Sequence, residues 1–447
     1  MIFTFSMISY LPNIVFALCL VFGIGFFTKN VKRLRRNIKL GRDADISGDT
    51  RQRWMNMSRI ALGQSKMVVR PIAGLMHIIV YVGFVIINIE VLEIIIDGLL
   101  GTHRIFSFMG GLYDFLIASF EILAFLVILA VLVFWIRRNI VRLQRFIKPE
   151  MEGWPKKDGN LILYIELVLM FLFLTMNAAD FQLQQIGAEH YAQAGTFPIS
   201  QYLAPLLEGL SESSLVFIER TAWWMHILGI VFFLNYLYYS KHLHILLAFP
   251  NTYYGKLNPQ GQFSNVASVT KEVKLMMDPS ADPFATTEED SEEPEKFGAS
   301  DVMDLNWVQL MNAYTCTECG RCTSECPANQ TGKKLSPRKI MMDTRDRLEE
   351  VGKNIDANKG SFEPDGKQLL DDYISREELW ACTTCNACVE ACPVSIDPLS
   401  IIIEMRRYLV MEQSAAPTEL NNMMSNIENN GAPWPYNQMD RLNWVNE

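Results

Sequence analysis

The chain has no G-x-G-x-x-G fingerprint, so a resident dinucleotide-binding turn is not expected. No basic residue precedes the first apolar run. Lys29 and its neighbours follow it, which argues against the charged n-region of a cleavable signal. Basic residues are missing from 180–214 and reduced to Arg104 over 98–111. Residues 278–447 hold 15 basic against 31 acidic residues, which excludes nucleic acid as a partner. The soluble part shows no alternating apolar and polar pattern, so strands are not expected there.

Apolar residues, by contrast, make up 50% of the 447. They gather in five runs, near 10–28, 71–97, 112–135, 161–179 and 215–247. Each approaches or exceeds the roughly 20 residues that cross a bilayer. Seven basic residues follow the first run in "KNVKRLRRNIKLGR", and five follow the third in "RRNIVRLQRFIK". Basic residues collect on the cytoplasmic side, so the N-terminus is expected outside and the segment after the fifth span inside. Trp223 and Trp224 fit an aromatic belt at the outer surface.

Beyond the spans the charge changes sign. Residues 1–277 carry 25 basic and 18 acidic residues, the reverse of the remainder. Six of the eight residues from Glu288 to Glu295 are acidic, the composition of a solvated linker. The expected organisation is a membrane domain over 1–257, a linker over 258–300, a compact domain over 301–412 and a loosely ordered tail over 413–447.

Eight of the nine cysteines lie in two copies of C-x2-C-x2-C-x3-C-P. The first copy is Cys316, Cys319, Cys322 and Cys326, and the second is Cys382, Cys385, Cys388 and Cys392. This run binds [4Fe–4S] clusters, and its fourth cysteine serves the other cluster. Cys316, Cys319, Cys322 and Cys392 are therefore assigned to one centre, and Cys382, Cys385, Cys388 and Cys326 to the second. Zinc sites use two separated C-x2-C pairs, and disulfides do not suit a reducing cytoplasm. Cys19, alone in an apolar span, is expected to pack.

The 55 residues between Cys326 and Cys382 read as helical. Ser336 and Pro337 open one helix that Gly352 is expected to close. Ser375 and Glu378 form a capping box, and "LSIIIEMRRYLVMEQ" continues as a helix. The segment resembles the helical cluster subunit of heterodisulfide reductases and the helical cluster domain of succinate dehydrogenase iron–sulfur subunits.

His226 and His244 are 18 residues apart, which is five turns of an uninterrupted helix and a rise of roughly 27 Å. That spacing suits two b-type haems stacked across a membrane, held inside a helical bundle. His77 sits near the inner end of the second span, at the depth of His244, and the two can clamp one haem. His242 lies about 200° round from His244 and is expected to be a bystander. Glu90, Glu93 and Asp97 share a face of the second span turned away from His77.

Spans two to five resemble the cytochrome b subunit of respiratory nitrate reductase. The resemblance is carried by "HILGIVFFLNYLYYSKHLHILLAFPNTYY". It implies haem b and a quinol site, with two histidines ten residues apart on the second helix. His77 matches the inner one, and Ile87 stands at the outer position. His226 then needs another partner, for which His103 comes first and His190 second. His103 and Arg104 are alternatively placed to bind a quinone carbonyl.

The expected fold class is thus all-α, with five membrane helices followed by a cytoplasmic helical dicluster ferredoxin. The expected function is electron transfer between a cytoplasmic flavoprotein or dithiol donor and menaquinone or ubiquinone in the cytoplasmic membrane. Two [4Fe–4S] clusters and one or two haems b would carry the electrons. The combination looks like electron-transfer-flavoprotein:menaquinone oxidoreductases, which use a further cysteine-rich module with a Cys-Cys pair. No such pair occurs, so an electron-transfer flavoprotein or a cysteine-rich iron–sulfur subunit is expected as partner on another chain. Quinol-driven reduction of a cytoplasmic disulfide is the alternative, and a redox sensor ranks below both.

Overall fold

A computed structural model describes residues 10–191, 193–280 and 296–445. The fold is all-α. Among the described residues the β-type pairing is two isolated bridges, Arg42 with Asn306 and Leu370 with Ile374. Five helices are long and apolar enough to cross a membrane: Leu11–Ile38, Pro71–Leu100, Gly111–Asn139, Trp154–Gln185 and Glu212–Tyr239. Prolines open the first, second and fourth, where a missing N–H costs nothing. Gly101 ends the second in the left-handed conformation, at φ 74°.

Small residues bring the spans close. A Cβ on Gly229 of the fifth span would stand 2.7 Å from Leu169 of the fourth, and one on Gly98 of the second would stand 2.5 Å from the Phe16 ring of the first. Such contacts between backbone and side chain hold membrane helices together where water supplies no driving force. The core of this bundle includes Ile87, Ile117, Phe120, Phe173 and Ile227.

The fifth span differs from expectation. Its helix stops before Ser240, which is extended (φ −117°, ψ 149°), and a new helix, His244–Tyr253, follows one short turn later. Asp158 of the fourth span causes the break. Its buried carboxylate accepts from Tyr236 Oη on one side and from the Lys241 N–H, at 3.1 Å, on the other. Five uninterrupted turns therefore do not connect His226 with His244.

The cysteine-bearing domain is a second core, built around Leu305, Leu310, Ile340, Leu348, Ile401 and Met405, and it reaches Leu34 and Leu243 of the membrane part. Ser336 caps the helix Pro337–Ala357 as expected, and the capping box of Ser375 and Glu378 is formed. Gly352, however, does not end its helix. It is a notch: Asn37 fills the space a Cβ would take, and Arg36 Nη2 donates to the Gly352 carbonyl at 2.9 Å. The ordered domain begins before 301, because Ala299 is buried and its N–H reaches the Glu404 carbonyl at 3.0 Å. The linker contains an exposed helix, Ala267–Met277, and its acidic run lies outside the described residues. The tail, expected to be loosely ordered, carries the helix Thr418–Asn430, which buries none of its residues.

Buried ion pairs join the two parts. Arg338, fully buried, meets Glu150 at 2.6 Å, and Glu318 binds both Lys241 and Arg345. Burial alone would push the Glu150 carboxyl up. The hydrogen bond and charge of Arg338 outweigh it and hold the group below the ordinary carboxylate range. Glu150→Gln keeps an acceptor but loses the charge, so it should weaken the docking by about 1.5–3 kcal/mol. Faster hydrogen exchange over 140–150 would register the loss.

Candidate functional site: two four-cysteine cavities and a histidine pair

The two cysteine runs fold alike. In each, the residues two and four beyond the first cysteine take positive φ: Glu318 and Gly320 in one, Thr384 and Asn386 in the other. Those turns curl three thiols inward. A short helix follows, Arg321–Glu325 or Ala387–Ala391, and each delivers its fourth cysteine in an extended conformation. The two helices pack on each other, so the fourth cysteines cross over.

Cys316, Cys319, Cys322 and Cys392 line one cavity, and Cys326, Cys382, Cys385 and Cys388 line another. Four soft thiolate donors are the donor set a [4Fe–4S] centre requires. Among the described residues no three ligating groups converge closely enough for a single ion, and a cubane spreads its thiolates wider than one ion does. Burial pushes the Cys316 thiol up to about 12 and the Cys392 thiol up to about 11. Iron binding would offset the cost of the thiolate forms there. Cys392→Ser should deplete the centre it shares with the first run. Iron per chain would then fall by about half, because each centre is a four-iron unit.

The first cavity faces the membrane part. Arg321 lines it and donates to the Lys66 and Met67 carbonyls, at 3.0 and 3.4 Å, just ahead of the second span. One to two turns into that span, His77 meets His244, with ring centroids 6.4 Å apart. Two metal–imidazole bonds of about 2 Å, plus half of each ring, add up to about 6 Å. His77 Nδ1 is buried without a hydrogen-bond partner, and His244 Nδ1 meets the Lys241 carbonyl at 3.2 Å. A ring nitrogen fixed on a carbonyl is how proteins orient a ligating imidazole. His242 is not remote: its ring lies 5.3 Å from that of His244, between Phe233 and Glu166.

His226 is buried, and its Nδ1 meets the Leu169 carbonyl at 2.9 Å. Its ring packs on Phe173. Among the described residues no second imidazole meets it. Ile87 lies in the surrounding apolar core, His190 is exposed, and His103 turns to Tyr191 and Asp180. The structure brings His103 Nε2 to 3.6 Å from Asp180 and not to His226.

Arg104 is also spent within the protein. Its guanidinium reaches Asp180 at 2.6 Å, Asn177 at 2.9 Å and Tyr113 at 3.1 Å, and its own N–H donates to Asp97 at 2.7 Å. The arginine expected to face a quinone instead ties three spans together. Glu93 and Asp97 accept from the loop backbone at Phe106 and Arg104. Glu90 differs, since its buried Oε2 has no partner. The Arg104 network and the Ser240 break escaped sequence reading. The only signal was one arginine in an otherwise uncharged loop.

These features define a membrane iron–sulfur protein: five apolar helices carrying a helical domain with two four-cysteine cavities. The 4Fe–4S dicluster domain family matches residues 315–396. The chain is similar to a probable iron–sulfur-binding oxidoreductase, FadF, of Bacillus subtilis (29% identity over 97% of this chain and 61% of that protein). It is also similar to the EtfAB:quinone oxidoreductase of Syntrophomonas wolfei (27% identity, over 96% and 58%). A probable membrane-anchored ferredoxin of Chromohalobacter salexigens matches a smaller part (33% identity, over 33% and 24%). The chain spans about six-tenths of the length of the first two. No solved structure matches.

Proposed function

We propose that the chain passes electrons between a flavoprotein or dithiol donor and a membrane quinone, through two [4Fe–4S] centres and one haem b. The observation that carries this reading is the meeting of His77 and His244, 6.4 Å apart, at the bundle end that receives the cluster domain. The similarity to an EtfAB:quinone oxidoreductase supports a flavoprotein donor and a quinone acceptor. The basic loops at that end support a cytoplasmic cluster domain and an external N-terminus.

When bound, the clusters and haem supply one-electron steps. The chain's residues do the remaining work. The eight cysteines would hold the two centres, and His77 and His244 would hold the haem. Arg321, Lys66 and Met67 keep the first centre's cavity against the second span. At the far end His103 Nδ1 is buried without a partner, and with Nε2 turned to Asp180 it would accept from a quinol hydroxyl. Glu90 Oε2 would exchange the proton that quinone reduction consumes.

Anaerobically purified protein should show reducible b-type optical bands that a quinone analogue reoxidises. Absence of those bands would end the haem assignment, and bands that quinone leaves reduced would end the quinone link.

A further inference from the structure

The two cavities share a fold but differ in charge. Two buried arginines, Arg321 and Arg338, line the membrane-facing cavity of Cys316, Cys319, Cys322 and Cys392. No charged side chain lines the cavity of Cys326, Cys382, Cys385 and Cys388. Around the first cavity, Arg338 is balanced by Glu150, Arg70 by Glu325, and Glu318 by Lys241 and Arg345. Lys66 lies 4.0 Å from Glu390.

Two cations remain. Arg321 donates only to Lys66 and Met67, and Arg145 has buried Nε and Nη1 atoms without partners. Among the described residues neither forms an ion pair with a carboxylate. Arg145 sits on the cluster loop, for a Cβ on Gly320 would come 3.2 Å from Arg145 Cβ. Cys319 is the foremost charge acting on its guanidinium. Beside the second cavity a single arginine without an ion pair among the described residues, Arg406, donates to the Leu379 and Cys382 carbonyls, and Asp397 nearby opposes its charge at Cys388.

A thiolate-ligated cluster gains negative charge on reduction, and a nearby desolvated cation stabilises that charge more than water would. We propose that Arg321 and Arg145 are potential-setting residues. They raise the reduction potential of the centre held by Cys316, Cys319, Cys322 and Cys392 above that of its twin, so a shared electron rests on the membrane side. What moves is one electron: the distal centre is oxidised by one as the proximal centre is reduced by one, with no proton or bond transferred. Arg145 and the carbonyls that fix Arg321 come from the membrane part, so the bias exists only when the two parts are docked. The inference rests on the two-cluster assignment in the proposed function.

The test is an anaerobic redox titration of the full chain, following the paramagnetic signals of the reduced clusters. In Arg321→Gln one of the two waves should move to lower potential by about tenfold in its equilibrium constant, or about 59 mV for one electron. The other wave should stay. Arg321→Lys should recover most of the shift, and Arg145→Gln should lower the same wave. Arg406→Gln should move the other one. If Arg321→Gln loses iron, Arg145→Gln reads the same quantity, since it leaves the bonds of Arg321 untouched. Unshifted waves in a protein that keeps both clusters, or equal shifts in both, overturn the inference alone. Absence of two cluster signals in the parent protein overturns the assignment beneath it.

Discussion

His244→Ala is expected to leave the chain without b-type optical bands, and His77→Ala is expected to do the same. The two rings face each other at 6.4 Å, one anchored by the Lys241 carbonyl and the other with a buried, unpartnered nitrogen. Removing either imidazole would leave one of the two nitrogens proposed to hold the haem. His242→Ala is the control that separates ligation from packing, because its ring touches that of His244 yet is assigned no ligand role. It should keep the bands with at most a small shift. His226→Ala should keep them too, since no second imidazole meets His226 among the described residues. Full haem content in His244→Ala would show that the pair is a packing contact. Loss in His226→Ala alone would move the haem to the far half of the bundle.

Arg104→Leu should cost the membrane part about 3–5 kcal/mol, the range for removing one partner of a buried ion pair. Asp180, 1% exposed, would keep its charge in the bundle without the guanidinium 2.6 Å away, while Asn177 and Tyr113 would lose a donor. The measurement is the thermal unfolding of detergent-solubilised protein. Adding Asp180→Asn should restore part of the loss, because the double variant buries no lone charge. If Arg104→Leu unfolds at the parent temperature, the network contributes nothing to stability. If Asp180→Asn deepens the loss, the aspartate rather than the arginine is the organising group. Cluster signals should persist in both variants, since the network lies at the opposite end of the bundle from the cysteines.

Local chemistry was legible residue by residue. Each cysteine run shows its repeat through its own spacing. The capping of Ser336 and Ser375 needs only neighbours three residues on, and each span is long and apolar within itself. Gly352 shows where such reasoning fails. By itself it looks like a helix stop, but its missing Cβ makes room for Asn37, more than 300 positions away in the sequence. Ser240 fails for the same reason. Nothing near it demands a break, and the carboxylate that ties down both sides is Asp158 on another span.

His244 therefore reached His77 by a route that counting turns could not supply. The pairing was anticipated from depth, but the helix phase behind it does not exist. The sequence by itself determined the helical class, the five apolar spans, the eight thiols and the short list of histidines. These follow from composition and spacing, which act within a few residues. Only the tertiary structure decided that Arg104 is consumed by Asp180, Asn177 and Tyr113, and that two buried arginines line one cysteine cavity while none lines the other. Electrostatics in a dry interior depends on which distant charges meet, and that meeting is set by packing.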